Sequence, residues 1–227
     1  EQLPGENLVL VEDEAVVLRA EDGLFLVEGK ESGSHRGTAA IVATGKRPKK
    51  LHVPGEEHLR GKGVSYCSTC DAPLFRDAEV AVVGGGNSGV QATLDLLAVG
   101  ARNVYLITDL EVTADAALAD QIRNHPRVRL YPYSQVTTVH GEQMVSGVTI
   151  RSVRSGTEEK LAVEGVFIEI GLEPNSEIFP ELQKNQRGEI MVDCHCRTSS
   201  AGIFAAGDVT NLPEKQIIVA AGEGAKA

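Results

Sequence analysis

Residues 79 to 108, EVAVVGGGNSGVQATLDLLAVGARNVYLIT, constrain the fold more than any other stretch of the chain. Val80 to Val83 form an apolar run of buried-strand type, a glycine turn follows, and Val90, Leu94, Leu97 and Ala98 recur at helical spacing. Gly100 stops the helix and VYLIT supplies a second strand. Strand, crossover helix and strand make a β-α-β unit, which calls for a parallel sheet with helices on its faces. The expected fold class is therefore α/β.

The turn itself reads G-x-G-x-x-G, with Gly84, Gly86 and Gly89 in register and Asn87 and Ser88 between the last two. The first glycine permits the tight turn, the second lets backbone approach a pyrophosphate, and the third packs helix on strand. The phosphates would rest on the helix N-terminus, where free amides and the helix dipole favour negative charge. Cofactor choice is set near the end of the second strand, where a carboxylate binds the ribose 2′-OH of NADH and arginines bind the 2′-phosphate of NADPH. Asp109 and Glu111 lie there, and no Arg or Lys occurs from Tyr105 through Gln121, so NADH is expected over NADPH. The alternative is that Asp109 caps the following turn.

Around this unit the pattern changes. From Asn7 to Lys30 short alternating pieces separated by Glu-Asp and Asp-Gly pairs predict a three-stranded antiparallel meander. TAAIVATGKRP predicts a buried strand that ends at Gly45, and Pro48 opens a loop. Residues 116 to 124 predict a short helix, and residues 128 to 163 further strands with a hairpin at Gly141. GVFIEIGLEPN is a strand running into Gly171 and Pro174, and the tail predicts two strands, an Ala-Ala-Gly-Asp turn and a helix start. No repeat of 20 to 50 residues occurs, which excludes a solenoid or propeller.

Charge and hydropathy exclude several functions. A net charge of -10 argues against nucleic acid or an anionic membrane as a main partner. No apolar run approaches the ~18 residues of a membrane span, and EQLPGENLVL has no signal-peptide pattern, so the expected location is the cytoplasm. The chain opens without Met and closes on AAGEGAKA, the first turns of a helix, which is the pattern of a fragment.

Chemistry points to the cysteines. YCSTCD holds Cys67 and Cys70, two of four cysteines in 227 residues, too few for a disulfide scaffold. A C-x-x-C pair can cycle between thiols and disulfide, because that placement can lower a thiol pKa from ~8.5 to ~7, roughly 2 kcal/mol in favour of the thiolate. Asp71 can move the proton of each half-cycle or serve as a turn residue or helix cap. A zinc site would need four ligands, and Cys194 and Cys196 are the remaining thiols. Their C-x-C spacing in IMVDCHCRTS predicts two half-buried residues on one strand face, with His195 opposite, so no metal is expected.

CxxCD ahead of a glycine-rich β-α-β turn, with ATG upstream and GIFAAGD downstream, resembles the low-molecular-weight thioredoxin reductase family over essentially the whole chain. Within it, GVSYCSTCDAPLF, VAVVGGGNSGVQA and the KQIIVAAGEGAKA tail are most similar to the alkyl hydroperoxide reductase flavoprotein branch, which prefers NADH. The resemblance implies two discontinuous Rossmann-like dinucleotide-binding domains. Residues 1–50 and 170–227 would form the FAD domain, incomplete because its own glycine-rich turn for the ADP half of FAD is not in the sequence. Residues 51–169 would form the nicotinamide domain with its CxxC.

The resemblance further implies a flavoprotein disulfide reductase passing electrons from NADH through FAD to Cys67 and Cys70, then to a thioredoxin-like or peroxiredoxin partner, in a homodimer. Cys70 would lie nearer the flavin, Cys67 would attack the partner, and Asp71 would donate a proton. Gly207 and Asp208 match the flavin-ribityl motif, Lys215, Gln216 and Ile217 the segment along the isoalloxazine ring, and Ala43, Thr44 and Gly45 the turn over the flavin. Gln91 stands where many members carry Glu. A nicotinamide-binding, redox-sensing module without turnover is the alternative function.

Overall fold

The computed structural model describes residues 8 to 227. Its contacts divide the chain into two compact units, Glu1–Arg47 with Glu173–Ala227, and Pro48–Leu172. The first unit opens with an antiparallel sheet of β1 (Ala15–Glu21), β2 (Leu24–Gly29) and β3 (Ser34–Gly37). Asp22 and Gly23 both take positive φ, 51° and 80°, the pair that a tight β1–β2 hairpin turn requires.

The meander is thus present but lies further along the chain than its alternation predicts. Asn7 falls outside the described residues, and Leu8 to Val11 stay out of the sheet with exposed side chains. The Asp13 carboxylate explains the shift. It accepts hydrogen bonds from the amides of Glu14, Glu31 and Ser32, which closes the turn between β2 and β3 and ends the sheet before residue 14. Two short strands, β4 (Ala40–Val42) and β5 (Lys46–Pro48), complete this part.

The second unit holds the β-α-β element. After β6 (Val64–Ser65) come the four-residue helix α1 (Ser68–Asp71), a 3-10 turn over 72–75, β7 (Glu79–Val83), α2 (Asn87–Val99) and β8 (Asn103–Ile107). The chain continues through α3 (Ala116–Arg123), β9 (Val128–Tyr131), β10 (Ser134–Gly141), β11 (Val145–Ser152), β12 (Glu158–Leu161) and β13 (Gly165–Ile168). Strands β6-β13-β7-β8-β9 form one parallel sheet, and β10-β11-β12 an antiparallel one. This is the α/β arrangement of a dinucleotide-binding domain.

Each face of the parallel sheet has its own core. Val80, Val82, Val104, Leu106 and Phe167 pack against α2, while Ala81, Val83, Ile107, Val166 and Ile168 pack with the β10–β12 sheet. On α2 the buried residues are Gly89, Val90, Ala92, Thr93, Leu96 and Leu97, whereas Leu94 is half-buried and Ala98 exposed. The helical spacing in the sequence places the face one position off, because α2 packs against α1, α3 and the 72–75 turn as well as the sheet.

The chain then returns to the first unit through β14 (Leu172–Pro174), paired with β5, and β15 (Ile203–Ala205), parallel to β4. A 3-10 turn over 207–209 leads to α4 (Ile217–Lys226). Leu18, Val42, Phe179, Leu182, Ile190 and Ile203 are central to this unit's core.

Between them, the strand expected within IMVDCHCRTS, residues 190–199, does not form. Asp193 Oδ1 accepts the amides of His195 and Arg197, both at 2.9 Å, and so builds a turn where a ladder would need those amides. Cys194 is exposed and Cys196 buried, with φ +61° at Cys196, so the two do not share a strand face.

Candidate functional site

At the carboxyl end of β7 the backbone turns at Gly84, where φ is +129° and an added Cβ would sit 2.2 Å from Glu169 O. Gly89 is equally constrained, since its Cβ would lie 1.9 Å from Gly84 O. Gly86 is different. It is the N-cap residue of α2 with φ -83°, and a Cβ there would meet nothing. No protein contact demands glycine at 86, and the space it leaves faces the first-turn amides of a 13-residue helix that has no side-chain cap. An uncapped helix start with open space before it fits a pyrophosphate.

The turn opens into a cavity of about 880 Å³ within the second unit. Gly84, Gly86, Asn87, Ser88 and Asp109 line it. Lys50 and Arg151 line it as well, cations from distant segments that no reading of residues 105 to 121 would include. Asn87 reaches it with its side chain already engaged: Nδ2 donates to Asp115 Oδ2 and Oδ1 accepts the Asp115 amide, both at 2.8 Å.

Glu169, just past β13, belongs to the same cavity and was not legible as a site residue. Burial pushes its carboxyl above the usual carboxylate range, the amide of Ser68 opposes that, and the nearby Asp95 charge adds to it. Ser68 Oγ in turn donates to Asp95 Oδ2 at 2.9 Å, and Gln91 Nε2 donates to Asp95 Oδ1 at 2.8 Å. The residue that follows Cys67 is therefore held by carboxylates on β13's extension and on α2.

Cys67 and Cys70 are bonded to each other, with their Cα atoms 5.3 Å apart. Cys67 is the N-cap residue of α1, and its Sγ accepts the Cys70 amide at 3.2 Å. It is half-buried while Cys70 is exposed, and with Asp71 it lines a surface hollow that also includes Arg60 and Tyr66. Ser65 organises this corner: its hydroxyl donates to Asp71 Oδ2 at 2.6 Å and accepts the Cys67 amide at 3.1 Å. Burial and hydrogen bonding to the Glu56 carboxylate push the Tyr66 phenol above its ordinary range. Among the described residues, no group of three or more His, Cys, Asp or Glu side chains is arranged to hold a metal ion.

In the first unit the turn Ala43–Thr44–Gly45 is clamped by Asn175. Thr44 Oγ1 donates to Asn175 O at 2.6 Å, Asn175 Nδ2 donates to Thr44 O at 2.7 Å, and the Asn175 amide donates to Gly45 O at 3.0 Å. Gly207, at φ +78°, donates its amide to the buried Glu223 carboxylate at 2.6 Å and precedes Asp208 in the 3-10 turn. Gln216 is the N-cap residue of α4 with no side-chain cap, and Ile217 is 92% exposed. An uncapped helix start beside an uncovered apolar side chain suits a planar, partly apolar group with hydrogen-bond acceptors, so these residues fit a flavin.

An ion cluster in the same unit joins Lys215 to Lys46 and Glu189, two residues that no motif marks. Lys46 Nζ reaches Glu189 Oε1 at 2.6 Å and Lys215 Nζ reaches it at 3.6 Å. Burial alone would raise the Glu189 carboxyl, but hydrogen bonds from Lys46 and Asn185 and both lysine charges hold it below its usual range. Burial and the Lys46 charge lower Lys215.

The sequence profile of pyridine nucleotide-disulphide oxidoreductases matches residues 5–224. The alkyl hydroperoxide reductase F subunit of Pseudomonas putida is 42% identical over 216 residues, 94% of this chain and 42% of that protein. The Escherichia coli K12 protein of the same name is 42% identical over 209 residues, 91% of this chain and 40% of its own length. The chain thus spans about two fifths of the length of these curated relatives. Among solved structures, thioredoxin reductase of Lactococcus lactis matches with a TM-score of 0.77 at 30% identity, over 95% of this chain and 71% of its own. That of T. acidophilum matches at 0.74 and 34%, over 94% and 71%.

Proposed function

The chain belongs to the pyridine nucleotide-disulphide oxidoreductase family, and on that premise we propose that it is the cofactor-binding and disulfide-bearing part of an NADH-dependent flavoprotein disulfide reductase. The observation that carries this reading is the bonded Cys67–Cys70 pair in the same unit as the glycine-lined cavity, with Ser68 and Glu169 between them. In it, residues Pro48–Leu172 bind the nicotinamide dinucleotide and the other unit binds FAD.

When bound, the nicotinamide and FAD supply the two-electron transfer that opens the disulfide. The chain's own residues do the rest. Gly86 and the first turn of α2 hold the pyrophosphate, and Asp109 accepts from the ribose 2′-OH, which favours NADH over NADPH. In the other unit the 43–45 turn, Gly207, Asp208, Lys215, Gln216 and Ile217 seat the flavin. Cys67 and Asp71 share one hollow. The Cys67 thiolate attacks a disulfide of the acceptor protein, forming a mixed disulfide and releasing one acceptor thiolate. Cys70 then attacks the Cys67 sulfur, releasing the second acceptor thiolate and re-forming the Cys67–Cys70 bond. Asp71 hands a proton to a departing thiolate. The acceptor that fits the two groups of relatives is a thioredoxin-like or peroxiredoxin-system protein, and the working form is a cytoplasmic homodimer.

An anaerobic titration of the purified chain with NADH and with NADPH, following flavin absorbance and then free thiols, tests this. Bleaching of the flavin band at lower NADH than NADPH, followed by two new thiols per chain, is the expected result. A flavin reduced with no thiols released would remove the disulfide from the pathway.

A further inference from the structure

Asp115 stands at the N-cap position of α3, where a carboxylate ordinarily accepts an amide of its own helix, yet its side chain makes no capping bond. Asn87 is the first residue of α2, whose N-cap residue Gly86 has no side chain to cap it. Both side chains are used on each other. Asn87 Nδ2 donates to Asp115 Oδ2 and the Asp115 amide donates to Asn87 Oδ1, each at 2.8 Å.

The segment that this clasp closes runs from the end of β8 to the start of α3. Within it the amides of Thr113 and Ala114 both donate to Gly85 O, at 2.8 and 3.1 Å. An added Cβ on Gly85 would lie 2.9 Å from Thr108 Cγ2 and 3.4 Å from Glu111 O, so the segment is folded down onto the middle of the glycine turn. It begins with Asp109, which lines the cavity. It carries Asp109, Glu111 and Asp115 and no cation.

We infer that Asp115 is a positioning residue for cofactor choice: through Asn87 it latches the 109–115 segment onto the glycine turn, which aims Asp109 at the ribose and leaves no freedom for the segment to retreat from a 2′-phosphate. The inference rests on the NADH reading above and adds to it how the choice is enforced. A carboxylate at the strand end discriminates only if it cannot swing away from an added phosphate, since electrostatic repulsion alone is relieved by movement. The two bonds to Gly85 hold the segment's middle, and the clasp holds its far end.

The test measures NADH and NADPH affinity by calorimetry on the chain and on D115A and D115N, together with hydrogen exchange at the Thr113 and Ala114 amides. In D115A, NADH affinity should fall about tenfold, the scale of one lost hydrogen bond to a charged group, while NADPH affinity changes less than about twofold, so the preference narrows. Exchange at both amides should quicken. D115N keeps an oxygen that accepts from Asn87 Nδ2 and should hold the wild-type preference, which also guards against a D115A chain that folds poorly. Equal losses for both dinucleotides in D115A, or an unchanged ratio, would overturn the inference and leave the NADH reading standing. A wild-type chain that binds neither dinucleotide, or prefers NADPH, would overturn both.

Discussion

Ser65 Oγ donates to Asp71 Oδ2 at 2.6 Å while accepting the Cys67 amide at 3.1 Å, so one hydroxyl fixes both the acid and the backbone of the half-buried cysteine. If Asp71 moves the proton of thiol–disulfide exchange, its aim depends on that hydroxyl. S65A should lower the rate of electron delivery to a protein disulfide about tenfold and D71N about a hundredfold, the usual span for general acid catalysis. Reduction of the flavin by NADH should be unchanged in both. The measurement is a paired stopped-flow assay, flavin bleaching against thiol appearance on the acceptor; equal losses in the two signals would assign Ser65 and Asp71 to scaffolding.

Gly86 and Gly89 belong to one motif but answer to different causes, which substitution separates. G89A drives a Cβ into Gly84 O at 1.9 Å and should cost about 3 kcal/mol or more of stability. G86A places its Cβ in open space at φ -83° and should cost about 1 kcal/mol or less, the difference between Gly and Ala at an N-cap. Its methyl occupies the space proposed for the pyrophosphate, so NADH affinity should fall at least about tenfold. Thermal melts with NADH titrations decide it: a stable G86A chain with wild-type affinity would mean the phosphates lie elsewhere.

How much of this was legible in the sequence divides by range. The β7-α2-β8 unit, its glycine turn and the CxxC are local patterns whose physics acts within a few residues, and they read directly. The meander was displaced because Asp13 bonds to amides 18 and 19 residues away, and no alternation encodes that. The strand expected in IMVDCHCRTS failed because Asp193 offers its amide neighbours a nearer acceptor, a signal that was present in the Asp-Cys-His-Cys text and outweighed by its alternation. Glu169, Asn175 and the Lys46–Glu189–Lys215 cluster gain their roles from partners far along the chain, so composition and spacing around each say nothing of them, while Ser65 acts on neighbours two and six residues on through a bend that no periodicity marks.

Glu189 balances two lysines in a place where its own side chain is 6% exposed and that of Lys46 is 12% exposed. Breaking a buried pair from one side leaves an uncompensated charge, so E189Q should destabilise the chain by about 3 kcal/mol. The pH dependence has a defined sign. A carboxyl held below its ordinary range contributes stability above that range and loses it as pH falls through the folded value. Wild type should therefore lose its advantage over E189Q on acidification, and melting temperatures of the two from pH 7 down to pH 3 should converge. Parallel curves would mean that the lysines are not paired with Glu189 in solution.

Glu169 behaves in the opposite sense. Burial and the neighbouring Asp95 raise its carboxyl, so the folded chain holds that proton more tightly than the unfolded chain does. Its contribution to stability is present below the ordinary carboxylate range and is lost as pH rises through the folded value. E169Q removes the charge, keeps an oxygen for the Ser68 amide, and should melt higher than wild type at neutral pH with the gap closing toward pH 4. The same charge faces the cavity proposed for an anionic dinucleotide, so wild-type affinity for NADH should weaken as pH rises through this titration while E169Q stays flat. Lys50, Asp109 and Arg151 line the cavity too, which is why the difference between variants, not the wild-type curve alone, carries the test. A pH profile of NADH affinity that is the same in both proteins would place the Glu169 carboxylate out of reach of the bound phosphates.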